Sequence, residues 1–287
     1  MKQLLILSGK GGTGKTTTAS AFIRFANALA FADCDVDAPN LHIVTEDFPN
    51  EPEYSLYYGS DMALIDSGKC TGCGLCAQMC KFGAIRLQDG KYRVNQFACE
   101  GCGVCAHVCP EQAVHMRPDT SGDIAVFKSD QTFVTAMLKM GRGNSGKLVS
   151  AVKARLGSEA GNVPLAIIDG SPGVGCPVIA SISGVDMVLV VAEPSLSGLS
   201  DLKRILAVAD ILQAPAAVCI NKWDSSPEHS GEIEAWCAEN GVSVLGRIPY
   251  DSAVPRAINA GRSIAETDCP ARTALKAVFD RVMEALA

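Results

Sequence analysis

Short apolar runs alternate with polar, helix-compatible segments along most of the chain. The runs are continuously apolar, which is typical of strands buried on both faces of a parallel sheet. This alternation predicts an α/β fold with a doubly wound, mostly parallel sheet and with ligands at the carboxyl ends of the strands. The predicted strands are 4–7, 28–32, 165–168, 187–192, 216–220 and 242–248.

Two segments have the spacing of helices. Residues 17–27 follow a glycine-rich turn, and the C-terminal segment has an apolar stripe opposite a face of mixed charge, so we interpret it as packed on the core. Segment 46–59 is polar and is predicted to be a loop leaving the first domain, whereas 124–127 is predicted to be a strand. The C-terminal stripe consists of Leu275, Val278, Phe279, Val282, Met283 and Leu286.

The turn after the first predicted strand has the spacing of a P-loop. Gly9 is followed at the fifth position by Gly14, and Lys15 and Thr16 come next. Between a strand and a helix, this pattern is typical of a loop whose backbone N–H groups bind phosphates. Lys15 is expected to reach the outer phosphates, and the Thr16 hydroxyl is expected to bind Mg²⁺. The predicted nucleotide contacts are Gly11, Gly12, Thr13, Gly14, Lys15, Thr16 and Thr17.

Carboxylates follow two of the other predicted strands. Asp33, Asp35 and Asp37 come after the second strand, and Asp169 ends a later one. We expect these side chains beside the P-loop, because the carboxyl ends of parallel strands share one edge of a sheet. Carboxylate oxygens suit Mg²⁺, although a purely structural role in turns and helix caps remains an alternative. The N–H of Gly173 is a candidate donor to the terminal phosphate.

Eight of the thirteen cysteines fall in two runs of identical spacing. Residues 70–80 and 99–109 both have the pattern C-x2-C-x2-C-x3-C, which is typical of bacterial ferredoxins with two [4Fe-4S] clusters, where the fourth cysteine of each run ligates the other run's cluster. Zinc is the competing interpretation, but zinc sites usually pair two C-x-x-C units across a long gap. The expected ligands are Cys70, Cys73, Cys76 and Cys109 for cluster one, and Cys99, Cys102, Cys105 and Cys80 for cluster two.

The cysteine runs interrupt the α/β pattern and predict an inserted domain. We expect a P-loop domain made of residues 1–61 and 118–287, and a small α+β, bacterial-type ferredoxin insert at 62–117. Inside the insert, residues 84–94 are predicted to form a hairpin with an Asp-Gly turn. A mildly basic stretch at 139–155 is interpreted either as a solvated helix face or as a docking surface near the clusters or the nucleotide.

Composition narrows the class of protein. The net charge of −6 and the absence of a lysine-rich tail give no electrostatic footprint for nucleic acid, so no nucleic-acid partner is expected. No apolar run reaches the roughly 18 residues of a membrane-spanning helix. The chain begins directly in a predicted strand, and its many cysteines suit metal binding in a reducing compartment, so a cytoplasmic location is expected.

The P-loop adds a second lysine, Lys10, to the usual pattern, and this feature resembles the deviant P-loop of the MinD/ParA/Mrp class of ATPases. That class includes the nitrogenase iron protein. The likeness covers roughly residues 1–45 and 160–287, and the whole chain is similar to MinD-type ATPases with an inserted ferredoxin domain. The resemblance implies ATP and Mg²⁺ as ligands, and a homodimer that closes face to face over two nucleotides.

The same resemblance implies roles for individual residues. Lys10 and Lys15 would be catalytic, with Lys10 reaching across to the partner's phosphates. Asp35 would position the attacking water, with Asp33 and Asp37 as alternatives. Switch II would contain Asp169 and Gly173, and Asp169 would join Thr16 and Asp35 at Mg²⁺. The base would be held by Asn221, Pro249 and Asp251, although Asn221-Lys222-Trp223-Asp224 also resembles the guanine-reading loop of GTPases.

Two functions are the main candidates, and a plain ferredoxin with a vestigial ATPase is a third interpretation, which an absence of nucleotide binding would support. In the first, ATP closes the dimer and couples hydrolysis to electron transfer through two [4Fe-4S] clusters to an unidentified redox partner. In the second, the protein is an ATP-dependent carrier or scaffold, and the clusters are cargo for a metal-cofactor partner.

Overall fold

Eleven strands are found in the part of the chain that the structure, a computed structural model, describes, namely residues 1–45, 48 and 51–287. In chain order they are β1 (Lys2–Leu7), β2 (Ala30–Asp33), β3 (Glu53–Ile65), β4 (Ile85–Gln88), β5 (Lys91–Val94), β6 (Val114–Lys128), β7 (Thr132–Leu138), β8 (Leu165–Asp169), β9 (Met187–Ala192), β10 (Ala216–Asn221) and β11 (Ser243–Ile248). Nine of them form one sheet in the order β11-β10-β9-β1-β8-β2-β7-β6-β3. Pairing is parallel from β11 to β7, so the predicted mostly parallel sheet is confirmed.

Helices cover both faces of this sheet. The α-helices of the described residues, of which α2 and α3 lie outside the main sheet, are α1 (Lys15–Ala26), α2 (Leu75–Met79), α3 (Val104–His107), α4 (Ser145–Glu159), α5 (Cys176–Ile182), α6 (Leu196–Ile211), α7 (Pro227–Glu239), α8 (Ala253–Asn259) and α9 (Pro270–Leu286). Apolar side chains of α4, α5, α6 and α7 share one core, whereas those of α1, α8 and α9 share the other. The doubly wound α/β architecture is thus confirmed.

The two cores follow from the alternation of side chains along each strand. In β1, Leu5 and Leu7 face one core, while Leu4 and Ile6 face the other, and all four are fully buried. Five of the six residues predicted for the apolar stripe of α9 are buried in the second core, and Met283 packs at its margin.

The predicted loop at 46–59 is wrong in its second half. Residues 46, 47, 49 and 50 lie outside the described residues, but β3 begins at Glu53. β3 pairs antiparallel with β6 from Glu53↔Val126 to Ile65↔Val114, forming a long two-stranded ribbon. Its outer half is largely exposed and mixes polar residues with the exposed Tyr54, Leu56 and Tyr58, so it lacks the continuous apolar run of a buried strand. The predicted strand at 124–127 is the end of β6.

The ribbon carries the cysteine-rich segment away from the main sheet. We call residues 62–117 the cysteine module. Its predicted limits lie opposite one another on the ribbon, since Met62 pairs with Arg117. In the module, β4 and β5 form the expected hairpin, with Asp89 and Gly90 at positive φ in the turn. The short helices α2 and α3 each contain cysteines, and a small separate core lies between them.

A search for membrane-spanning helices in the described residues found none that is long and apolar enough to cross a bilayer.

Candidate functional site

The P-loop turn depends on a glycine immediately before α1. Gly14 has φ 98° and ψ 16°, a left-handed conformation that disfavours other residues. A Cβ atom there would also lie 2.2 Å from Nδ2 of Asn221. The Asn221 amide instead donates to the carbonyl oxygen of Thr13 at 2.6 Å. The end of β10 therefore holds the P-loop in place through a close contact that only glycine permits.

An open cleft of about 360 Å³ lies over this turn. Most of the predicted phosphate-binding residues line it, whereas Thr13 is buried behind it. Ile43, Val44 and Ile258 add an apolar wall that the sequence did not predict. Such a mixture of backbone donors, charged groups and apolar walls is typical of a nucleotide site. The lining residues are Ser8, Lys10, Gly11, Gly12, Gly14, Lys15, Thr16, Thr17, Asp35, Asn40, Ile43, Val44, Pro172 and Ile258.

Two of the three predicted magnesium ligands, Thr16 and Asp169, are in direct contact, and the third, Asp35, lines the cleft. The Lys15 ammonium lies 2.6 Å from Oδ1 of Asp169, and the Thr16 hydroxyl donates to Oδ2 of the same carboxylate at 2.7 Å. Burial works against the charged form of Lys15, but attraction by Asp169 outweighs it and the pKa of Lys15 lies above its ordinary value. A hydroxyl and a carboxylate side by side are oxygen ligands of the kind that Mg²⁺ prefers.

Three nearby carboxylates have different environments. Asp33 is fully buried and accepts backbone N–H groups from Asp35, Asn40 and Leu41 at 2.8–2.9 Å. Burial, together with the nearby Asp169, raises the pKa of Asp33 to about 7. Asp33 therefore holds the loop that follows β2.

The water-positioning role is better suited to Asp35. Asp35 lines the cleft, whereas Asp37 is exposed and does not. Partial burial raises the pKa of Asp35, while the positive charge of Lys15 opposes that rise. The assignment of Asp35 to the attacking water stays a prediction, but the geometry favours it over its two neighbours.

The second lysine of the P-loop has partners that the sequence did not predict. Lys10 lines the cleft, and its ammonium lies 3.7 Å from Glu193, 3.5 Å from Ser195 and 3.4 Å from Ser197. These residues follow β9, another strand whose carboxyl end lies at this edge of the sheet. Because the Lys10 side chain is 38% exposed, it can exchange these partners without a large desolvation cost.

Gly173, Pro249 and Asp251, which were also predicted to contact the nucleotide, do not line the cleft. The N–H of Gly173 donates to the carbonyl of Ser8 at 3.0 Å, so donation to a phosphate requires this bond to exchange. The Asp251 carboxylate accepts N–H groups from Ala253 and Ala271, which lowers its pKa.

In the alternative in which residues 221–224 read a guanine base, the key carboxylate already has a partner within the protein. Asp224, which would accept from a guanine base, accepts the N–H of Tyr250 at 2.7 Å and joins two loops. The roles of Asn221, Pro249 and Asp251 at a base stay predictions.

In the cysteine module, the eight cysteines line two separate cavities. The division follows the spacing rule, because the fourth cysteine of each run lies in the cavity of the other run. One cavity is lined by Cys70, Cys73, Cys76 and Cys109. The other is lined by Cys80, Cys99, Cys102 and Cys105.

Backbone geometry around the cavities fits cluster ligation. The N–H of Ala84 donates to Sγ of Cys80 at 3.3 Å, and the N–H of Ala113 donates to Sγ of Cys109 at 3.2 Å. Donation of this kind to sulfur tunes iron–sulfur clusters.

The first helical turns follow glycines at positive φ, Gly74 and Gly103, which aim the chain around each cavity. Burial raises the pKa of Cys76 and Cys105, and bound metal would counter that effect by favouring the thiolates.

The described residues contain no group of three or more His, Cys, Asp or Glu side chains arranged to hold a single metal ion. The cavities, each lined by four cysteines, are the observation that bears on a polynuclear cluster.

Comparison with known proteins identifies the nucleotide-binding part. Residues 4–264 match the family described as the CobQ/CobB/MinD/ParA nucleotide binding domain. The uncharacterized protein MJ0578 of Methanocaldococcus jannaschii is 29% identical over 98% of this chain and 96% of its own length. The iron-sulfur cluster carrier protein of the same organism is 23% identical over 98% of this chain and 84% of its own length.

Solved structures agree on the fold. MinD of Pyrococcus horikoshii, determined with Mg-ADP, has a TM-score of 0.58 and 17% identity, covering 100% of this chain and 98% of its own. At that identity the likeness shows the fold alone. With the family match spanning most of its length, the chain belongs to the CobQ/CobB/MinD/ParA family of nucleotide-binding domains.

Proposed function

We propose that this protein is a Mg²⁺-dependent ATPase that couples ATP hydrolysis to electron transfer through two [4Fe-4S] clusters. The P-loop N–H groups and Lys15 would bind and neutralise the phosphates. Thr16, Asp35 and Asp169 would hold Mg²⁺, and Asp35 would orient the water. Catalysis would then rest on positioning and charge neutralisation rather than on covalent chemistry.

The exposed Lys10 supports a dimeric reaction. Its contacts with Glu193, Ser195 and Ser197 are long and accessible, so they can be given up when a second subunit approaches. In the proposed dimer, each Lys10 would reach the partner's phosphates across the interface. ATP is the preferred nucleotide, since Asp224 is engaged by the backbone of Tyr250.

The cysteine module is proposed to be the redox part. The observation that carries this proposal is the pair of cavities, each lined by four cysteines drawn from both runs. The four thiols in each cavity would be the ligands, and the glycine turns and N–H···S contacts would support them. When bound, such clusters supply one-electron transfer. Residues 62–117 are accordingly proposed as the ferredoxin-like insert.

A short loop offers a physical link between the two parts. We call residues 139–144 the coupling loop. Arg142 donates to the carbonyl of Gln96 in the module at 2.6 Å, and it lies 2.8 Å from Asp119 on the ribbon. A Cβ on Gly141 would lie 3.3 Å from Phe97, so the loop packs closely on the module beside the second cysteine run.

Both ends of the coupling loop are attached to nucleotide loops. Just before it, the N–H of Leu138 donates to the carbonyl of Val36, next to Asp35, at 2.8 Å. Just after it, Gly146 packs so closely on the Cys176 carbonyl that a Cβ would lie 2.9 Å away. Cys176 begins α5, directly after the switch II segment. A shift in either nucleotide loop would therefore be transmitted to the module.

The docking interpretation of the basic stretch gains little support from these contacts. Arg142 is engaged as described, Lys153 donates to carbonyl groups at the end of α5, and Arg155 pairs with Glu53 and Glu159. These cations hold the chain together, because each of the three joins different elements.

A second candidate function is an ATP-dependent cluster carrier. The observation in its favour is the similarity to the iron-sulfur cluster carrier protein of M. jannaschii. Three of the four cysteines in each cavity are buried or half-buried, and two N–H···S contacts support them, which favours resident clusters because a carrier must release its cargo.

One experiment separates the two functions. The protein is purified anaerobically, its iron is counted, and it is mixed with an apo-ferredoxin in the presence of ATP and Mg²⁺. Electron transfer predicts retained iron and a reversible one-electron signal. Loss of iron to the apo-protein in step with hydrolysis would establish the carrier function and contradict our proposal.

A further inference from the structure

A cationic groove lies on the cysteine module, away from the nucleotide cleft. It has a volume of about 680 Å³ and runs between β5 and the C-terminal end of β3. Four cations line it and no carboxylate does, although the whole chain carries a net charge of −6. The cations are Arg86, Lys91, Arg93 and Arg117.

The cations are not explained by internal contacts. Their side chains are exposed, and none of the four has an ion pair or side-chain hydrogen bond within the described residues. Arg86 and Arg93 are also direct cross-strand partners in the hairpin. Like charges in that position destabilise a sheet, so folding alone disfavours this arrangement. An anionic group from outside the chain would remove the repulsion.

The groove is close to both cysteine cavities. Tyr92 lines the groove and also the cavity of Cys70, whereas Val94 lines the groove and the cavity of Cys99. On β3, Ile65 likewise lines the groove and the cavity of Cys70, and Ala63 lines the groove and the cavity of Cys99. A molecule seated in the groove would therefore be separated from either cavity by single side chains.

The chemistry of the lining favours a protein surface over a small anion. Three of the four cations are arginines, and Tyr92 and Phe97 lie among them. Arginine and aromatic residues are enriched in the cores of protein interfaces. Phe97 is 65% exposed and Leu64 is 40% exposed, so an apolar surface is available beside the charges.

We infer that this groove docks an acidic surface segment of the redox partner protein. The inference rests on the proposed electron-transfer function and names its partner class. The cations would steer the encounter, and the exposed Phe97 and Leu64 would add apolar contact once the partner is seated. Steering by charge is sensitive to ionic strength, because salt screens exposed charges.

The test uses the full-length, iron-loaded protein and a fluorescein-labelled polyglutamate peptide as the acidic probe. Binding is measured by fluorescence anisotropy at increasing salt. The groove variant is Arg86→Gln/Arg93→Gln. The matched control is Lys69→Gln/Lys81→Gln, which removes the same charge from exposed positions in the same module, outside the groove.

We expect the wild-type protein to bind the peptide in a salt-sensitive manner, and the groove variant to bind about tenfold more weakly at low salt. The control should bind nearly as well as the wild type. Equal losses in both variants would show a net-charge effect and overturn the inference. Citrate that competes as well as the peptide does at equal charge would indicate a small-anion site and would also overturn it.

The same preparations keep this inference distinct from the proposed function. Iron content and ATP hydrolysis are measured on each sample. Full iron and normal hydrolysis without peptide binding contradict the docking site alone. Groove-dependent peptide binding by a protein that acquires no iron–sulfur clusters contradicts the proposed function, and leaves the groove as a docking site for an acidic protein surface.

Discussion

The main sheet and the cysteine module differ in what stabilises them. Among the described residues, the sheet lies between two apolar cores with 30 and 26 buried residues. The core of the module has five, Ala63, Cys76, Ile85, Cys105 and Val114, and two of these are proposed cluster ligands. A core this small rarely sustains a fold without metals or other cross-links.

This difference indicates that the main sheet and the cysteine module are stabilised independently of each other. The sheet folds by burying apolar side chains, and its loops can therefore move during a nucleotide cycle without loss of the fold. The module is expected to derive much of its stability from bound metal, so metal loss and module unfolding should occur together. The ribbon of β3 and β6 and the coupling loop join the two parts.

The largest expected effect is unfolding of the cysteine module while the main sheet stays folded. In Cys76→Ser/Cys105→Ser, one ligand is removed from each cavity, and we expect both clusters and the fold of residues 66–113 to be lost. Hydrogen exchange there should become fast, whereas β1, β8 and β9 should stay protected.

ATP binding should survive in this double variant, because the cleft contains no module residue. Cys219→Ser is a suitable control, because Cys219 lies in the main sheet and lines neither cavity. Burial raises the pKa of Cys219 to about 12, so this thiol stays protonated. If the iron-free module kept its protection from hydrogen exchange, the claim that bound metal stabilises the module would be contradicted.

A substitution in the nucleotide cleft should affect ATP hydrolysis but not the clusters of the cysteine module. Lys15→Gln removes the cation beside Asp169 and is expected to lower the rate of hydrolysis by about 10²- to 10³-fold. Iron content and the cluster spectrum should not change. Phosphate release and iron are measured on the same sample, and parallel loss of both would show that the two parts are not independent.

A smaller and more specific effect is expected at the coupling loop. Arg142→Ala removes the contacts with Gln96 and Asp119 but leaves the cleft intact, so basal hydrolysis should stay within about twofold of wild type. The nucleotide-dependent change in hydrogen exchange at residues 95–101 should disappear.

Lys139→Ala is the matched control for the coupling loop, because Lys139 is an exposed neighbour whose side chain forms no hydrogen bond or ion pair within the described part of the chain. A response to nucleotide that persists in Arg142→Ala would rule out this loop as the link.

The smallest effect is expected at Asp251. Asp251→Ala removes the acceptor at the starts of α8 and α9, so it should cost about 1 kcal/mol in the free energy of unfolding. The hydrogen bond from the N–H of Ala253 lowers the pKa of Asp251, so its contribution is fully present above the ordinary carboxyl pKa and is lost as the pH falls through the folded-state pKa. Denaturant titrations at pH 7 and at acid pH measure it. A large loss of nucleotide affinity at unchanged stability would instead support the predicted role at the base.

The sequence predicted those features that local patterns encode. Continuous apolar runs identified β8, β9 and β10, and the glycine spacing identified the turn before α1. The ferredoxin-type spacing also placed the eight cysteines in two sets, and each set lines one cavity, whereas their binding of clusters stays a prediction.

Other features depend on contacts between distant segments. The outer half of β3 is exposed and lacks a buried apolar run, and its partner β6 lies far along the chain, so no continuous apolar run distinguished it from a loop. The same holds for the Lys10 contacts with Glu193 and Ser195. The bonds from Arg142 to Gln96 and Asp119 depend on how the module packs against the sheet.

The most direct test of the central claim is a redox titration of the anaerobically purified protein with and without ATP and Mg²⁺. The account predicts two [4Fe-4S] clusters whose reduction potential shifts when nucleotide binds, by about 60 mV for a tenfold coupling in a one-electron couple. An unchanged potential in protein that carries both clusters and bound nucleotide would contradict the coupling of the two parts.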